Sequence, residues 1–386
     1  MHDNTRLIRS HVPLTKYGEH SSPLYLNSSF SFPDAESMQA AFEEGSEATV
    51  YSRYSNPNTD ELIDRLCILE NAEDGWVMAS GMAAIFTCFS ALLNQGDHIL
   101  ACRSVFGSTH QIFSNIFPKW GISHSYFDVK ASEDEWETLL DKNTKILFVE
   151  SPTNPALELL DLENLAKFAQ KHNLIFVVDN CFATPILQKP LNLGADLVIH
   201  SMTKFIDGQG RVLGGVVLGK KELIKEIGAF ARHSGPALSP FHAWLLSNSL
   251  ETFELRVREK SRNAKWIAQQ LENHPAIVQL TYPHLESHPQ YDLALKQMKH
   301  GGALFCFELK GGQKAGAQFL NKLSICSLTT NLGDCKSIAS HPASTTHSKL
   351  SEEERLAVGI TPGLIRISAG LEHPEDILND ILNALE

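Results

Sequence analysis

The most constraining feature of this chain is an alternation. Six short apolar-rich runs, at 76–79, 98–102, 145–150, 174–179, 196–201 and 212–218, are separated by stretches of helical periodicity such as 82–93, 161–172 and 221–231. Strands alternating with helices imply βαβ units, so the expected fold class is α/β, with a mostly parallel sheet covered on both faces. Residues 146–149 and 175–178 are wholly apolar, as central strands buried on both faces are. The flanks differ. Residues 1–49 read as an arm punctuated by prolines, with one strand expected at 24–32. Residues 50–240 hold the alternating pattern, and a long helical region at 241–273 opens a smaller α+β domain at 241–386.

Composition removes several classes of function. The chain carries 33 Lys and Arg against 45 Asp and Glu, a net charge of −12, which repels a phosphate backbone and argues against nucleic acid as a partner. No run approaches the roughly 18 apolar residues of a membrane span. Residues 1–20 are polar and lack the apolar core of a secretory signal. The seven cysteines are irregularly spaced without a C-x-x-C pair, as expected of reduced thiols in the cytoplasm. Some tempting motifs fail on their surroundings. The stretch 214–220 has P-loop spacing, but Lys221 stands where Ser or Thr would hold magnesium, and the stretch reads as a strand. His284 and His288 are four apart, but Pro289 breaks the helix a zinc pair needs, so no metal site is expected.

Chemistry gathers at three strand ends, the place where ligands bind in open parallel sheets. After 76–79 comes Ser80-Gly81-Met82 and at once a helix, whose free N–H groups and positive end suit an anion. Asp179 closes the apolar run before it. Ser201, Thr203 and Lys204 close the next strand; in an extended segment both hydroxyls face one way and Lys204 the other. Taken singly these are a capped helix, a turn-forming acid and a solvated lysine. Together they form a phosphate cup, a carboxylate that keeps a ring nitrogen protonated and a lysine able to form a Schiff base. Pyridoxal 5′-phosphate requires that inventory.

Six blocks then carry a resemblance: Tyr51-Ser52-Arg53-Tyr54-Ser55-Asn56-Pro57, Ser80-Gly81-Met82-Ala83-Ala84, Glu150-Ser151-Pro152-Thr153-Asn154-Pro155, Val178-Asp179-Asn180, Ser201-Met202-Thr203-Lys204 and Ile365-Arg366-Ile367-Ser368. The chain resembles, nearly end to end, the cystathionine γ-synthase family of Cys/Met-metabolism enzymes. The resemblance implies an aspartate-aminotransferase-like fold (fold type I) with a seven-stranded sheet. It implies pyridoxal 5′-phosphate in Schiff-base linkage to Lys204, with Asp179 as the pyridinium partner. Gly81, Met82, Ser201 and Thr203 would hold the phosphate, and Tyr51 and Arg53 would reach it from a neighbouring subunit. Asn154 matches the residue beside the ring hydroxyl, and Arg366 the arginine that grips an amino-acid substrate's α-carboxylate. A homodimer or homotetramer with shared active sites, the arm 1–49 on its neighbour, is implied as well.

Within the family, Asn331-Leu332-Gly333-Asp334-Cys335-Lys336-Ser337 resembles the homoserine-ester sulfhydrylases, which adds Asn331 to the substrate-binding residues. The compact length, the block 207–211 and the opening 20–30 resemble the O-succinylhomoserine branch. The implied reaction is γ-replacement by sulfide, giving homocysteine and succinate. Cystathionine γ-synthase, O-acetylhomoserine sulfhydrylase and γ- or β-lyases such as methionine γ-lyase are the alternatives. Phe106 stands where lyases carry a ring-stacking Tyr. A Phe stacks but has no hydroxyl, which places more proton traffic on Lys204. Cationic surroundings are expected to hold that lysine near a neutral pKa.

Overall fold

The computed structural model of the chain describes residues 2–10, 15–43, 48–348 and 351–386. Seven strands build the larger sheet: β1 (Asp74–Met78), β2 (His98–Cys102), β3 (Ser123–Phe127), β4 (Thr144–Glu150), β5 (Ile175–Asp179), β6 (Leu197–Ser201) and β7 (Gly215–Gly219), in the order β1-β7-β6-β5-β4-β2-β3. All neighbours pair in parallel except β7, which runs antiparallel to β1 and to β6. The sheet is therefore mostly parallel, with one reversed strand. That reversal brings the start of β7 to the edge where β1, β4, β5 and β6 end.

The strict two-residue period of a strand sorts its side chains into two cores. Ile146 and Phe148 of β4 join the cluster beneath the helix Gly81–Leu92, with Phe89, Phe113 and Val177. Leu147 and Val149 point the other way, toward Phe168 of the helix Leu162–Lys171. Each such side chain contributes about 1.5–3 kcal/mol of burial, and both clusters clamp the strands whose ends carry the polar residues.

A second sheet holds β8 (Ile277–Thr281), β9 (Leu304–Leu309), β10 (Ser327–Leu328), β11 (Ile338–Ser340) and β12 (Leu364–Ser368), ordered β10-β11-β12-β9-β8. The helices Phe253–Leu271 and Pro374–Leu385 pack on it through Ala264, Ile267, Ile377 and Ile381. Among the described residues, no helix is long and apolar enough to cross a membrane.

Three expectations fail for physical reasons. Residues 24–32 form no strand. They meet only an isolated bridge between Ser29 and Tyr51, and side chains take their backbone groups instead: Tyr25 N donates to Asn58 Oδ1 and Asn56 Nδ2 donates to Tyr25 O. The helical region 241–273 is two helices, Pro240–Leu250 and Phe253–Leu271. Arg256 Nη2 donates to Ser249 O, at the end of the first helix, at 2.8 Å, and the same guanidinium donates to Phe205 O and Ile206 O. Finally, β3 escapes an apolar-run search because only Phe127 of Ser123–Phe127 is buried.

Candidate active site

The end of β1 turns directly into the helix Gly81–Leu92, whose N-cap Ser80 accepts from Ala83 N at 3.1 Å. The first turn leaves the N–H groups of Gly81 and Met82 without intrahelical acceptors. Close packing explains the glycine. A Cβ on Gly81 would lie 2.9 Å from Ser201 Oγ and 2.7 Å from its Cβ, and one on Gly215 would lie 2.0 Å from the Ser80 carbonyl oxygen. The helix start therefore rests on the end of β6, with the Ser201 hydroxyl beside the free N–H groups.

Beyond Ser201 the chain is not extended. Lys204 N donates to Ser201 O at 3.2 Å and Gly208 N donates to Lys204 O at 2.8 Å, so 202–207 winds into turns. The turn, not strand alternation, sets where Lys204 projects. Thr203 Oγ1 accepts from Gly214 N at 3.2 Å, which binds this turn to the approach to β7.

Lys204 begins a run of hydrogen bonds that joins the two sheets. Its Nζ donates to Asn331 Oδ1 at 2.7 Å; Asn331 O accepts from Arg366 Nη2 at 3.4 Å; Arg366 Nη1 donates to Asn154 Oδ1 at 2.8 Å. Arg366 is buried on β12, 212 residues along the chain from Asn154. The Lys204 ammonium is held below its ordinary range mainly by burial. The neighbouring Cys181 opposes that shift and Arg366 adds to it, so desolvation rather than surrounding cations is the principal cause.

Asp179 ends β5 one strand away, in register with Ile199 of β6. Burial pushes its carboxyl up to about 6, against the Cys181 N–H that donates to Oδ1 at 3.0 Å and the attraction of His200. Its second oxygen accepts no hydrogen bond among the described residues. Glu150, the last residue of β4, lies on the same edge and is pushed well up by burial and by Asp179. Its Oε2 accepts from Phe106 N at 3.0 Å, which fixes that residue's backbone beside the site. Sequence reading passed over Glu150, although the strand-end rule that selects Asp179 selects it too. His347 is also buried near Arg366 and is pushed down to about 4 by desolvation, then by that arginine.

Within one chain, and among the described residues, neither Tyr51 nor Arg53 makes a hydrogen bond to Gly81, Met82, Ser201 or Thr203. The Arg53 guanidinium lies over the rings of Tyr51 and Tyr54, at 5.5 and 4.9 Å, and donates to the Arg232 carbonyl.

These residues fit pyridoxal 5′-phosphate. A helix N-terminus with a hydroxyl beside it, cradled where only Gly81 leaves room, suits the phosphate. A buried carboxylate with a spare acceptor suits a protonated ring nitrogen, and a half-buried lysine of lowered pKa suits an aldehyde. The model of the Cys/Met metabolism PLP-dependent enzymes matches residues 4–386. An O-succinylhomoserine sulfhydrylase from Pseudomonas aeruginosa is 44% identical over 385 residues, covering 99% of this chain and 94% of that protein. An L-methionine gamma-lyase from Fusobacterium nucleatum is 41% identical over 373 residues, 96% of this chain and 94% of its own. Among solved structures, a protein from Campylobacter jejuni described provisionally as an O-acetylhomoserine (thiol)-lyase superposes with a TM-score of 0.95 at 32% identity, over all of both chains. That structure carries N'-pyridoxyl-lysine-5'-monophosphate. With fold, site and relatives in agreement, the chain belongs to the Cys/Met-metabolism family of fold type I enzymes, which depend on pyridoxal 5′-phosphate.

Proposed function

We propose that this chain is a transferase of methionine biosynthesis that exchanges the succinyl ester of O-succinylhomoserine for sulfide, giving homocysteine and succinate. The observation that carries the reading is the hydrogen-bonded run from Lys204 through Asn331 and Arg366 to Asn154. It lies in a chain 44% identical to an O-succinylhomoserine sulfhydrylase.

Bound pyridoxal 5′-phosphate supplies an electron sink for a carbanion at the substrate Cα. The protein's own residues do the rest. Lys204 would bear the cofactor and, as a free amine, would remove the Cα proton. It is suited to this because burial already disfavours its charged form. Asp179 would keep the ring nitrogen protonated, and Phe106 would supply an aromatic face to the ring. Gly81, Met82, Ser201 and Thr203 hold the phosphate, and Tyr51 and Arg53 complete the cup from a second copy of the chain. Arg366 takes the α-carboxylate with its planar fork, itself oriented by Asn154 and by the Asn331 carbonyl. Lys204 would then take a proton from Cβ as the Cγ–O bond breaks and succinate leaves with its electron pair; the sulfur of sulfide bonds to Cγ, and Lys204 returns protons to Cβ and Cα. The enzyme acts as a homodimer or homotetramer in the cytoplasm.

A second reading, γ-elimination, is supported by the 41% identity to an L-methionine gamma-lyase. One assay separates them. O-succinyl- and O-acetylhomoserine are each offered sulfide, cysteine or no nucleophile, and homocysteine, cystathionine, succinate, ammonia and keto acid are measured. The expected result is homocysteine with succinate, fastest from the succinyl ester, and little ammonia when sulfide is omitted. Ammonia released equally fast without sulfide makes the protein a lyase.

A further inference from the structure

Among the described residues, Lys260 is the only lysine in the set of largest fully buried side chains. It sits within the helix Phe253–Leu271, and its Nζ donates to Gly333 O at 2.7 Å. The same ammonium lies 5.7 Å from the centre of the Phe205 ring, next to Lys204. Gly333 packs directly on the peptide that carries the catalytic amine. It has φ +77°, and a Cβ there would lie 2.8 Å from Phe205 N and 3.0 Å from Lys204 C. Two residues earlier in the same loop, Asn331 accepts from Lys204 Nζ and, through its carbonyl, from Arg366. The loop's other ties are neutral or distant: Gly333 N donates to Ser368 Oγ at 3.0 Å, and Ser337 is held by Glu372.

A buried ammonium with one carbonyl partner is an expensive way to stabilise a fold, because desolvation usually exceeds what a single neutral acceptor returns. Burial depresses the Lys260 pKa to about 8; Arg256 works in the same direction, and Cys335, Asp334 and Glu372 oppose it. No hydrogen bond joins Lys260 to Lys204 among the described residues; Lys260 holds the loop at Gly333, and Lys204 meets the same loop at Asn331. The hydrogen-bonded connection from Lys260 to the reactive amine runs through the loop.

We propose that Lys260 is a positioning residue: by holding the Gly333 carbonyl it seats the loop 331–333 so that Asn331 meets both the Lys204 amine and Arg366. The inference deepens the proposed function, since it rests on Lys204 being the reactive amine. Loss of the hold withdraws an acceptor from the Lys204 ammonium and so lowers that amine's pKa further.

The test compares wild type with Lys260→Met, Lys260→Gln and Lys260→Arg. In apoprotein, Lys204 is reductively methylated with formaldehyde and cyanoborohydride across a pH series, and the Lys204 peptide is quantified by mass spectrometry. Melting temperatures are recorded in parallel. The account expects Lys260→Met and Lys260→Gln to melt no lower than wild type, yet to move the Lys204 labelling midpoint down by about half a pH unit or more, a threefold change in the amine's protonation equilibrium. Lys260→Arg, which keeps a donor at the carbonyl, restores most of the midpoint. In the holoenzymes, KM for the amino-acid substrate rises with the Met variant because Arg366 loses its second anchor. An unmoved midpoint in stable Met and Gln variants overturns the proposal. So does a loss of folding in both that Arg repairs, since Lys260 is then structural. Borohydride trapping of cofactor on wild-type Lys204 is run separately, so failure of the underlying site reading is seen on its own.

Discussion

Asp179 is buried and Lys204 half-buried, and desolvation drives the two in opposite senses: the acid upward, the base downward, each toward its neutral form. For Asp179 the consequence is measurable without any substrate. Its folded pKa, about 6, lies above the ordinary value of 3.8, so the folded apoprotein binds a proton that the unfolded chain releases. The stability it contributes is complete below about pH 4 and is lost as pH rises through 6. Apoprotein carrying Asp179→Asn should match wild type near pH 4 and exceed it by on the order of 2 kcal/mol at pH 7 in denaturant titrations. A difference that does not vary with pH contradicts the assigned environment. At this scale the sequence marked the polar side chains that close two apolar strands, Asp179 and Ser201, but not Glu150, which closes a third. It was illegible where a side chain serves the backbone of a distant segment. Glu150 holds Phe106 N from 44 positions away, and Lys260 looks in sequence like one more charge on a helix.

Among elements, the decisive arrangement is the meeting of β1, β6 and β7 at one edge, where Gly81 and Gly215 permit contacts that no Cβ allows. Alanine is favoured over glycine within a helix by about 1 kcal/mol, so Gly81→Ala should leave the melting temperature of the apoprotein nearly unchanged. It should nevertheless displace the helix start from Ser201 and weaken cofactor binding by about tenfold or more, some 1.4 kcal/mol, in a fluorescence titration with pyridoxal 5′-phosphate. Unchanged cofactor affinity removes the cup from this edge. The alternation of apolar runs located β2 and β4 to β6 within a residue or so of each end, because those strands are buried on both faces and carry little else. It missed β3, an exposed edge strand with polar residues at its start. It invented a strand at 24–32, where Asn56 and Asn58 supply the hydrogen bonds a neighbouring strand would have supplied. No local pattern marked the break between Leu250 and Phe253, which belongs to Arg256 and the Lys204 turn.

For the molecule as a whole, a single chain pairs Tyr51 and Arg53 with Tyr54 and Arg232, and among the described residues neither makes a hydrogen bond to Gly81, Met82, Ser201 or Thr203. If they serve a second copy, Lys204→Ala and Arg53→Ala fail for different reasons and repair each other. Each variant alone should be nearly inactive, while an equimolar mixture unfolded and refolded together should recover about a quarter of wild-type activity, since half the dimers are mixed and one of two sites in each is intact. No recovery confines each site to one chain. All of this depends on the amine of Lys204 bearing the cofactor. The direct measurement is borohydride reduction of the purified holoprotein followed by peptide mass mapping. The account predicts one pyridoxyl-phosphate adduct, on the peptide containing Ser201-Met202-Thr203-Lys204 and absent from Lys204→Ala. An adduct on another lysine, or none on a protein that turns over substrate, contradicts it.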